Sequence, residues 1–333
     1  MRGRDRENTK REHEVALIDE VFADLRLPSV VFSRMTLRGD WGFDKACLPG
    51  APFHLVVCGE AWVAGPSGVE PRRLGAGDMA VLSHGDPHQL LSRPGAPTVS
   101  WREVIAQEKI PRWTPGVRFK TLDLVLGRGA PETVLISGVF AFLDPRPNPL
   151  LEALPRLMVA TSDADLDALT GLLDRELTTR APGAEGVGGM LADLLFAQVV
   201  RRQLASSDAP LGWLKGLADP EISGALSAIH RTPERRWSVE LLAREAGMSR
   251  SRFAARFRAV TGQAPLDYLT RHRMFRAAGD LATRRIPLAE LAAGAGYESE
   301  AAFSKAFRRW SGHAPTDYRR RLSRTGQDDR TAL

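Results

Sequence analysis

Three things are scarce in this chain of 333 residues, and each scarcity removes a class of protein. Cysteine occurs twice, at Cys47 and Cys58, which is too few for a disulfide framework and fits a reducing compartment. No apolar run approaches the roughly 20 residues that a bilayer crossing needs, and the first stretch, Met1 to Glu14, is charged rather than apolar. Secretion and membrane insertion are both unexpected on those grounds, and the cytoplasm is the expected location. Histidine is also sparse, seven in all, and no pair is separated by a single residue. The adjacent-imidazole signature of many metal sites is therefore missing.

What the chain does have is an apolar fraction of 43% and a charged fraction of 26%, enough for a sizeable core in two domains. Its net charge of +6 is unevenly spread. From Asp219 to Leu322 there are 19 Lys and Arg against 11 Asp and Glu, so that this segment carries more than the whole excess. A basic module beside a near-neutral one is what attraction to a phosphate backbone requires.

The same segment says nearly the same thing twice, about 50 residues apart. Leu242-Ala243-Arg244-Glu245-Ala246-Gly247 returns as Leu291-Ala292-Ala293-Gly294-Ala295-Gly296. Phe253 and Phe257 return as Phe303 and Phe307, and Ala264-Pro265-x-Asp267-Tyr268 as Ala314-Pro315-x-Asp317-Tyr318. Each copy predicts a short helix, a glycine turn and a second helix, with small Ala243 and Ala292 allowing close crossing. Ser249 and Ser299 stand where the second helices need N-caps. The phenylalanines at i, i+4 face inward. The opposite face carries Arg250, Ser251, Ala254, Ala255 and Arg258 in the first copy, and Glu300, Ala301, Ser304, Lys305 and Arg308 in the second. Pro265 opens a long helix that joins the copies.

Upstream the pattern changes to short apolar runs separated by Gly and Pro: Val30–Phe32, Phe53–Val57, Ala61–Ala64, Met79–Leu82, Gln89–Leu91, Thr121–Leu126 and Thr133–Phe142. This spacing predicts a β-sandwich or barrel. Pro145 to Pro149 reads as a stiff connector, followed by helices at Leu150–Leu157, Leu166–Leu177 and Gly189–Leu204 with a Gly-rich break at Ala181–Gly189. In the third, Leu191, Leu194, Leu195, Val199 and Leu204 form an apolar stripe, either docked on the barrel or forming a dimer contact. The domains expected are a flexible tail and short helix over residues 1–27, a β-barrel domain over 28–145 (a cupin-like sensor by the resemblance given below), a helical subdomain or linker over 146–218, a DNA-binding domain over 219–322 and a disordered tail over 323–333. The fold class is α+β, a β-barrel with a helical subdomain followed by an all-α domain.

Two resemblances sharpen this. Gly296-Tyr297-Glu298-Ser299-Glu300-Ala301-Ala302-Phe303-Ser304-Lys305-Ala306-Phe307, followed by Gly312-His313-Ala314-Pro315 and Tyr318-Arg319, resembles the signature of the AraC/XylS family of bacterial transcription regulators. Gly77-Asp78 through His88 is similar to the second motif of the cupins, and Phe53 to Glu60 to the first, with Val56 where a second histidine would stand. The resemblance implies two recognition helices in successive major-groove segments roughly 34 Å apart. By motif position Arg250, Ser251, Ala254, Ala255, Glu300, Ala301, Ser304 and Lys305 would face bases. Arg258, Arg308 and Arg309 would meet phosphate.

For the sensor half, His54, His84 and His88 are either hydrogen-bonded barrel histidines or three ligands for a metal. Cys47 and Cys58 are either small buried residues or a thiol pair open to oxidants. The partners expected are double-stranded DNA, RNA polymerase, an unidentified small-molecule effector and a second copy of the chain, with no membrane. No resident cofactor is expected unless the histidines hold a metal. The competing functions are a metal-dependent cupin enzyme with a nucleic-acid-binding domain and an architectural DNA binder. Activator and repressor stay open.

Overall fold

The computed structural model describes residues 29–65, 70–111, 119–129, 131–140, 154–205, 216 and 219–325. The tails and the Pro145–Pro149 connector lie outside the described residues. The described chain falls into two compact units, residues 29–205 and residues 219–325 with Gly216.

The first unit is built on two sheets. One runs β11-β6-β3-β10-β1-β9, where β1 is Ser29–Arg38, β3 Ala51–Cys58, β6 Met79–Val81, β9 Leu122–Gly127, β10 Pro131–Phe140 and β11 Met158–Ala160. The other runs β5-β4-β7-β2-β8, with β2 Gly42–Lys45, β4 Ala61–Ala64, β5 Arg72–Leu74, β7 His88–Leu91 and β8 Val99–Ser100. Neighbours are antiparallel except β1 with β9 and β2 with β8. The strands make two hydrogen-bonded sheets rather than one closed ring among the described residues.

Alternation along the strands fills the space between the sheets. Met35 and Leu37, Phe43, Val56, Val63, Leu74, Leu90 and Leu135 meet there as one apolar cluster with Trp41. Toward one end the inward positions turn polar, and that change positions the site described below. The Gly77-Asp78 turn is a structural tie: Asp78 accepts from the backbone of Gly75 at 2.7 Å and of Ser162 at 2.8 Å, while Gly77 donates to the Val56 carbonyl at 2.8 Å.

Helix α1, Trp101–Gln107, follows β8, and two longer helices, α2 Ala164–Thr179 and α3 Ala184–Ala205, pack on the outer face of the larger sheet. Phe53 stacks on Phe140 at 4.7 Å between centroids, and Phe196 of α3 completes the stack at 4.5 Å. Arg34 of β1 binds Asp174 of α2 at 2.7 Å, and Ser29 donates to Asp193 of α3. The helices thus belong to the sheet unit and do not form a separate subdomain.

Three expectations are corrected. Residues 154–157 are not helical, and Met158–Ala160 pairs with β6 as an edge strand. Helix α3 begins at Ala184, inside the expected Gly-rich break, and Gly189 within it lets the helix approach β1, since a Cβ there would come to 3.0 Å from the Ser29 carbonyl. Its buried stripe is Ala192, Leu195, Phe196, Val199 and Val200, rotated from the expected one so that Phe196 reaches Phe140. Leu194 is 54% exposed, beside Met190 at 69%.

The second unit is all helical: α4 Ser223–Arg231, α5 Val239–Glu245, α6 Arg250–Thr261, α7 Pro265–Thr283, α8 Leu288–Gly294, α9 Glu300–Ser311 and α10 Pro315–Thr325. Phe253, Phe257, Phe303 and Phe307 are fully buried, each pair 5.5 Å apart between centroids. Tyr268 and Tyr318 close the two copies at 5.7 and 5.3 Å from Phe257 and Phe307. Helices α6 and α9 end at Gly262 and Gly312 in left-handed conformation, whose N–H groups return to Arg258 and Arg308. The copies differ at both N-caps: Ser299 accepts from Ala302 N–H at 3.2 Å whereas the Ser249 side chain makes no capping bond, and Ser238 accepts from Leu241 N–H at 3.2 Å whereas α8 starts after Pro287 with no side-chain cap.

Candidate functional site

In the helical unit α5–α6 and α8–α9 are two helix-turn-helix bends joined by α7. The turns pivot on Gly247 and Gly296 at φ +64° and +73°, where a side chain on any other residue would be strained. Burying the phenylalanines turns the opposite faces of α6 and α9 outward. Arg250, Ser251, Ala255 and Arg258 are exposed and Ala254 half-buried; Glu300, Ala301, Lys305 and Arg308 are exposed and Ser304 half-buried. The structure therefore brings each expected set together on one helix face.

The charged members are not equivalent. Glu240 of α5 binds the Nε edge of Arg250 at 2.6 Å, which steadies the guanidinium and leaves its two Nη groups for another acceptor. Among the described residues Arg258, Lys305 and Arg308 make no ion pair, so their charge is available to a ligand. By contrast, Arg252 and Arg256 turn back to Glu221 and Asp219, bracing α6 at its base.

One residue with a positioning role escaped the sequence reading. Arg273 of α7 donates to the carbonyls of Pro233 at 2.6 Å and Arg235 at 2.8 Å, in the lead-in to the first bend. It also lies against Gly296 at the turn of the second. The Arg236–Glu298 pair, 2.6 Å, crosses the same gap. The two bends are thereby held in one fixed relation.

In the sheet unit a cavity of about 770 Å³ opens beside the polar end of the interior. Its inward side chains are Ser33 of β1, Lys45 of β2, His54 of β3, His88 of β7 and Ser137 of β10, with Phe32, Trp101, Ile105, Phe119, Leu122 and Leu124 as apolar walls. Lys45 and His88 are a cross-strand pair, and so are His54 and Ser137.

The hydrogen bonds fix the tautomers. The Asp86 carbonyl can only accept, so at 2.9 Å His88 Nδ1 carries the proton. Neutral His88 then accepts at Nε2 from His54 Nε2–H, 2.8 Å away, and His54 Nδ1 accepts from the Ser137 hydroxyl at 2.8 Å. Burial, reinforced by the Lys45 charge and by His88, pushes the His54 imidazole well below its usual range. Burial likewise brings His88 down to about 4 against the opposing bond to Asp86. Both rings are neutral near pH 7 with every ring nitrogen engaged. Asp86 is itself held low by Arg156, which clamps its carboxylate.

These positions correct two readings. His84 is exposed, in the turn before β7, and does not join His54 and His88; among the described residues no three His, Cys, Asp or Glu side chains converge as metal ligands. Of the three histidines only His54 and His88 come together, with their Nε2 atoms 2.8 Å apart, so the expected three-ligand set is not assembled. Cys47 and Cys58 are exposed rather than buried. Cys58 ends β3 whereas Cys47 precedes its start, and the eight-residue strand spans about 23 Å, so a bridge between them within one chain is excluded. Of the tryptophans, Trp101 lines the cavity and Trp41 is core. Lys45 and Ser137 were missed in the sequence. Lys45 sits in a four-residue strand without a β-branched residue, and Ser137 is marked only by its register opposite His54.

Comparison with known proteins agrees with this geometry. The cupin family profile matches residues 16–205 and a helix-turn-helix domain profile matches residues 242–321. The chain is 31% identical over 293 residues to the HTH-type transcriptional regulator AlkR of Acinetobacter baylyi, covering 86% of this chain and 93% of that protein. It is 33% identical over 292 residues to an AraC-like transcription regulator of Streptomyces lividans, covering 86% and 91%. A crystal structure of the DNA-binding domain of AdpA, the global transcriptional factor, in complex with a target DNA aligns with 32% of this chain and 97% of that one, at 33% identity and a TM-score of 0.31. No described helix is long and apolar enough to cross a membrane. With a cupin unit ahead of paired helix-turn-helix bends, the chain belongs to the AraC family of DNA-binding transcriptional regulators.

Proposed function

We propose that this regulator works in the cytoplasm as a ligand-responsive switch without catalysis, in which the cavity of the cupin unit takes a small effector and its occupancy changes how the helical unit holds an operator. The observation that carries the reading is the cavity: a pocket of about 770 Å³ with a short polar layer at one end and apolar walls, the composition of small-molecule sites. The relatives being transcription regulators supports a role without turnover.

In this reading α6 and α9 enter successive major-groove segments. Arg250 and Lys305 donate to guanine edges, Glu300 accepts from cytosine, and Ala254, Ala255 and Ala301 offer apolar contact, with Ser251 and Ser304 adaptable. Arg258 and Arg308 meet phosphate, and RNA polymerase is the partner that reads the bound state. A second copy of the chain docks on the exposed apolar side chains Leu172, Val187, Met190 and Leu194 of α2 and α3.

Genome-wide immunoprecipitation tests the operator half: a few promoters sharing one directional motif are expected, and diffuse occupancy would argue for an architectural protein. For the switch, a thermal-shift screen compares the wild type with Leu124→Trp, which fills the cavity. Compounds that stabilise the wild type, alter operator affinity and lose both effects in the variant are expected. Compounds acting equally on both would place sensing elsewhere. Met190→Glu with Leu194→Glu, weighed by light scattering, is expected to give monomers; an unchanged mass removes the proposed contact.

A further inference from the structure

The polar layer of the cavity holds an amine that has no acidic partner among the described residues. Lys45 points inward beside Phe43, its ammonium 4.1 Å from the centre of the Trp101 ring. Burial alone brings its pKa down to about 7. The charged and titratable groups that share its surroundings are His54, His88, Cys47, Arg102, Lys109 and Asp44. The histidines are neutral and fully engaged with each other and their partners, Arg102 and Lys109 add positive charge toward solvent, and Asp44 is exposed and accepts from Gln89 at 2.7 Å. Among the described residues nothing neutralises Lys45, and a charge drawn partly out of water is costly until a counter-ion arrives.

The walls specify the rest of the occupant. Phe32 and Phe119 meet edge to face at 5.3 Å, Trp101 presents its ring from α1, and Ile105, Leu122 and Leu124 supply aliphatic surface. A neutral hydrocarbon would leave the amine without a partner, and a cation would be repelled by it. We propose that the cavity binds a carboxylic acid with an apolar, ring-bearing body, its carboxylate on the Lys45 ammonium and its ring among Trp101, Phe32 and Phe119. This names the effector class for the cavity proposed above as the sensor and rests on that reading.

The experiment is calorimetric titration of the full-length protein with three probes of matched body: 4-phenylbutyrate, 4-phenyl-1-butanol and 4-phenylbutylamine. The acid is expected to bind at least about tenfold more tightly than the alcohol, as a charge-assisted bond requires, and the amine not at all. Because burial lowers the Lys45 pKa toward neutrality and a bound carboxylate raises it again, binding the acid near pH 7 is expected to take up a fraction of a proton per site, seen as a heat that varies with the buffer. Lys45→Met is expected to bring the acid down to the level of the alcohol and to abolish the uptake. Lys45→Arg, permanently charged, keeps the preference and loses only the uptake, which separates charge from a folding defect. Equal affinity for acid and alcohol, or a preference that survives Lys45→Met, overturns the proposal. So does an imine between Lys45 and 4-phenylbutanal, trapped by cyanoborohydride with loss of water, if the acid itself does not bind. Should the acid bind at Lys45 while operator affinity stays fixed, the carboxylate site stands and the switch reading falls; effectors of other chemistry acting through the cavity would give the reverse.

Discussion

Gly247→Ala and Gly296→Ala make the same change in the two copies of one motif, so each serves as the other's control. Both glycines have positive φ, and an alanine in that region costs about 1 kcal/mol. Around Gly247 a new methyl group meets nothing within 4 Å, and the cost ends there. At Gly296 it would stand 2.7 Å from the Glu234 carbonyl and 2.6 Å from Nη2 of Arg273. The backbone oxygen cannot swing aside, and the guanidinium can move only by giving up its bonds to Pro233 and Arg235. Losing one bond to a charged donor is worth about 1.5–3 kcal/mol, so Gly296→Ala is expected to cost roughly 2.5–4 kcal/mol in all.

Hydrogen exchange of the full chain, followed by mass spectrometry over residues 219–325, measures both costs locally. Gel shift measures the consequence: Gly247→Ala should retain most operator affinity, whereas Gly296→Ala, with the brace between the bends loosened, should lose far more on a complete operator than on a half-site. Equal losses of protection in the two variants would refute the argument that Arg273 and the Glu234 carbonyl lock the second turn to the first.

The remaining expectations are simpler. Lys305→Ala and Arg250→Ala should each cost about 1–3 kcal/mol on the operator and relax base preference at one position, while Arg308→Ala should weaken operator and unrelated DNA alike and lower the salt slope by about one, all read by titration at several salt concentrations. In the helical unit burial lowers His230 to about 3 and His272 well below its usual range. The unfolded chain binds protons on both near pH 6.5 and the folded chain does not, so stability is complete above that pH and is lost as pH falls below it, by about 1.4 kcal/mol per unit for His230 down to about 3 and in the same direction for His272. Urea titrations from pH 7 to 5 check the sign, and a unit that grows more stable on acidification would contradict it. Diamide treatment should give no bridge within one chain between Cys47 and Cys58; an intramolecular disulfide in a peptide map would show that β3 does not keep them apart.

The helical unit was legible because its determinants are local. A glycine at a bend and phenylalanines at i, i+4 announce themselves within a dozen residues, and the duplication states them twice. The outward faces followed directly once the phenylalanines were buried. Most strands of the sheet unit were legible too, but the polar layer was not. Lys45, His88, His54 and Ser137 come from four strands, and only the registers of β2 with β7 and β3 with β10 set them side by side. His88 points inward from β7, whereas His84 lies in the turn before that strand begins and stays exposed. Helix α3 misled by composition: its glycines look like a break, yet Gly188 faces Leu173 and Leu177 of α2 and Gly189 lies against the Ser29 carbonyl of β1.

Helix α7 has a consequence for the DNA rather than for the protein. At 19 residues it is about 28 Å long, and with Arg273 fastened at its side it has no joint between the bends. One base pair added between the two segments read by α6 and α9 would move the second by about 3.4 Å and turn it by roughly 35° about the duplex axis. A rigid rod cannot follow a screw motion of that kind. The spacing inside each operator should accordingly be invariant to a single base pair, even where the letters within it drift.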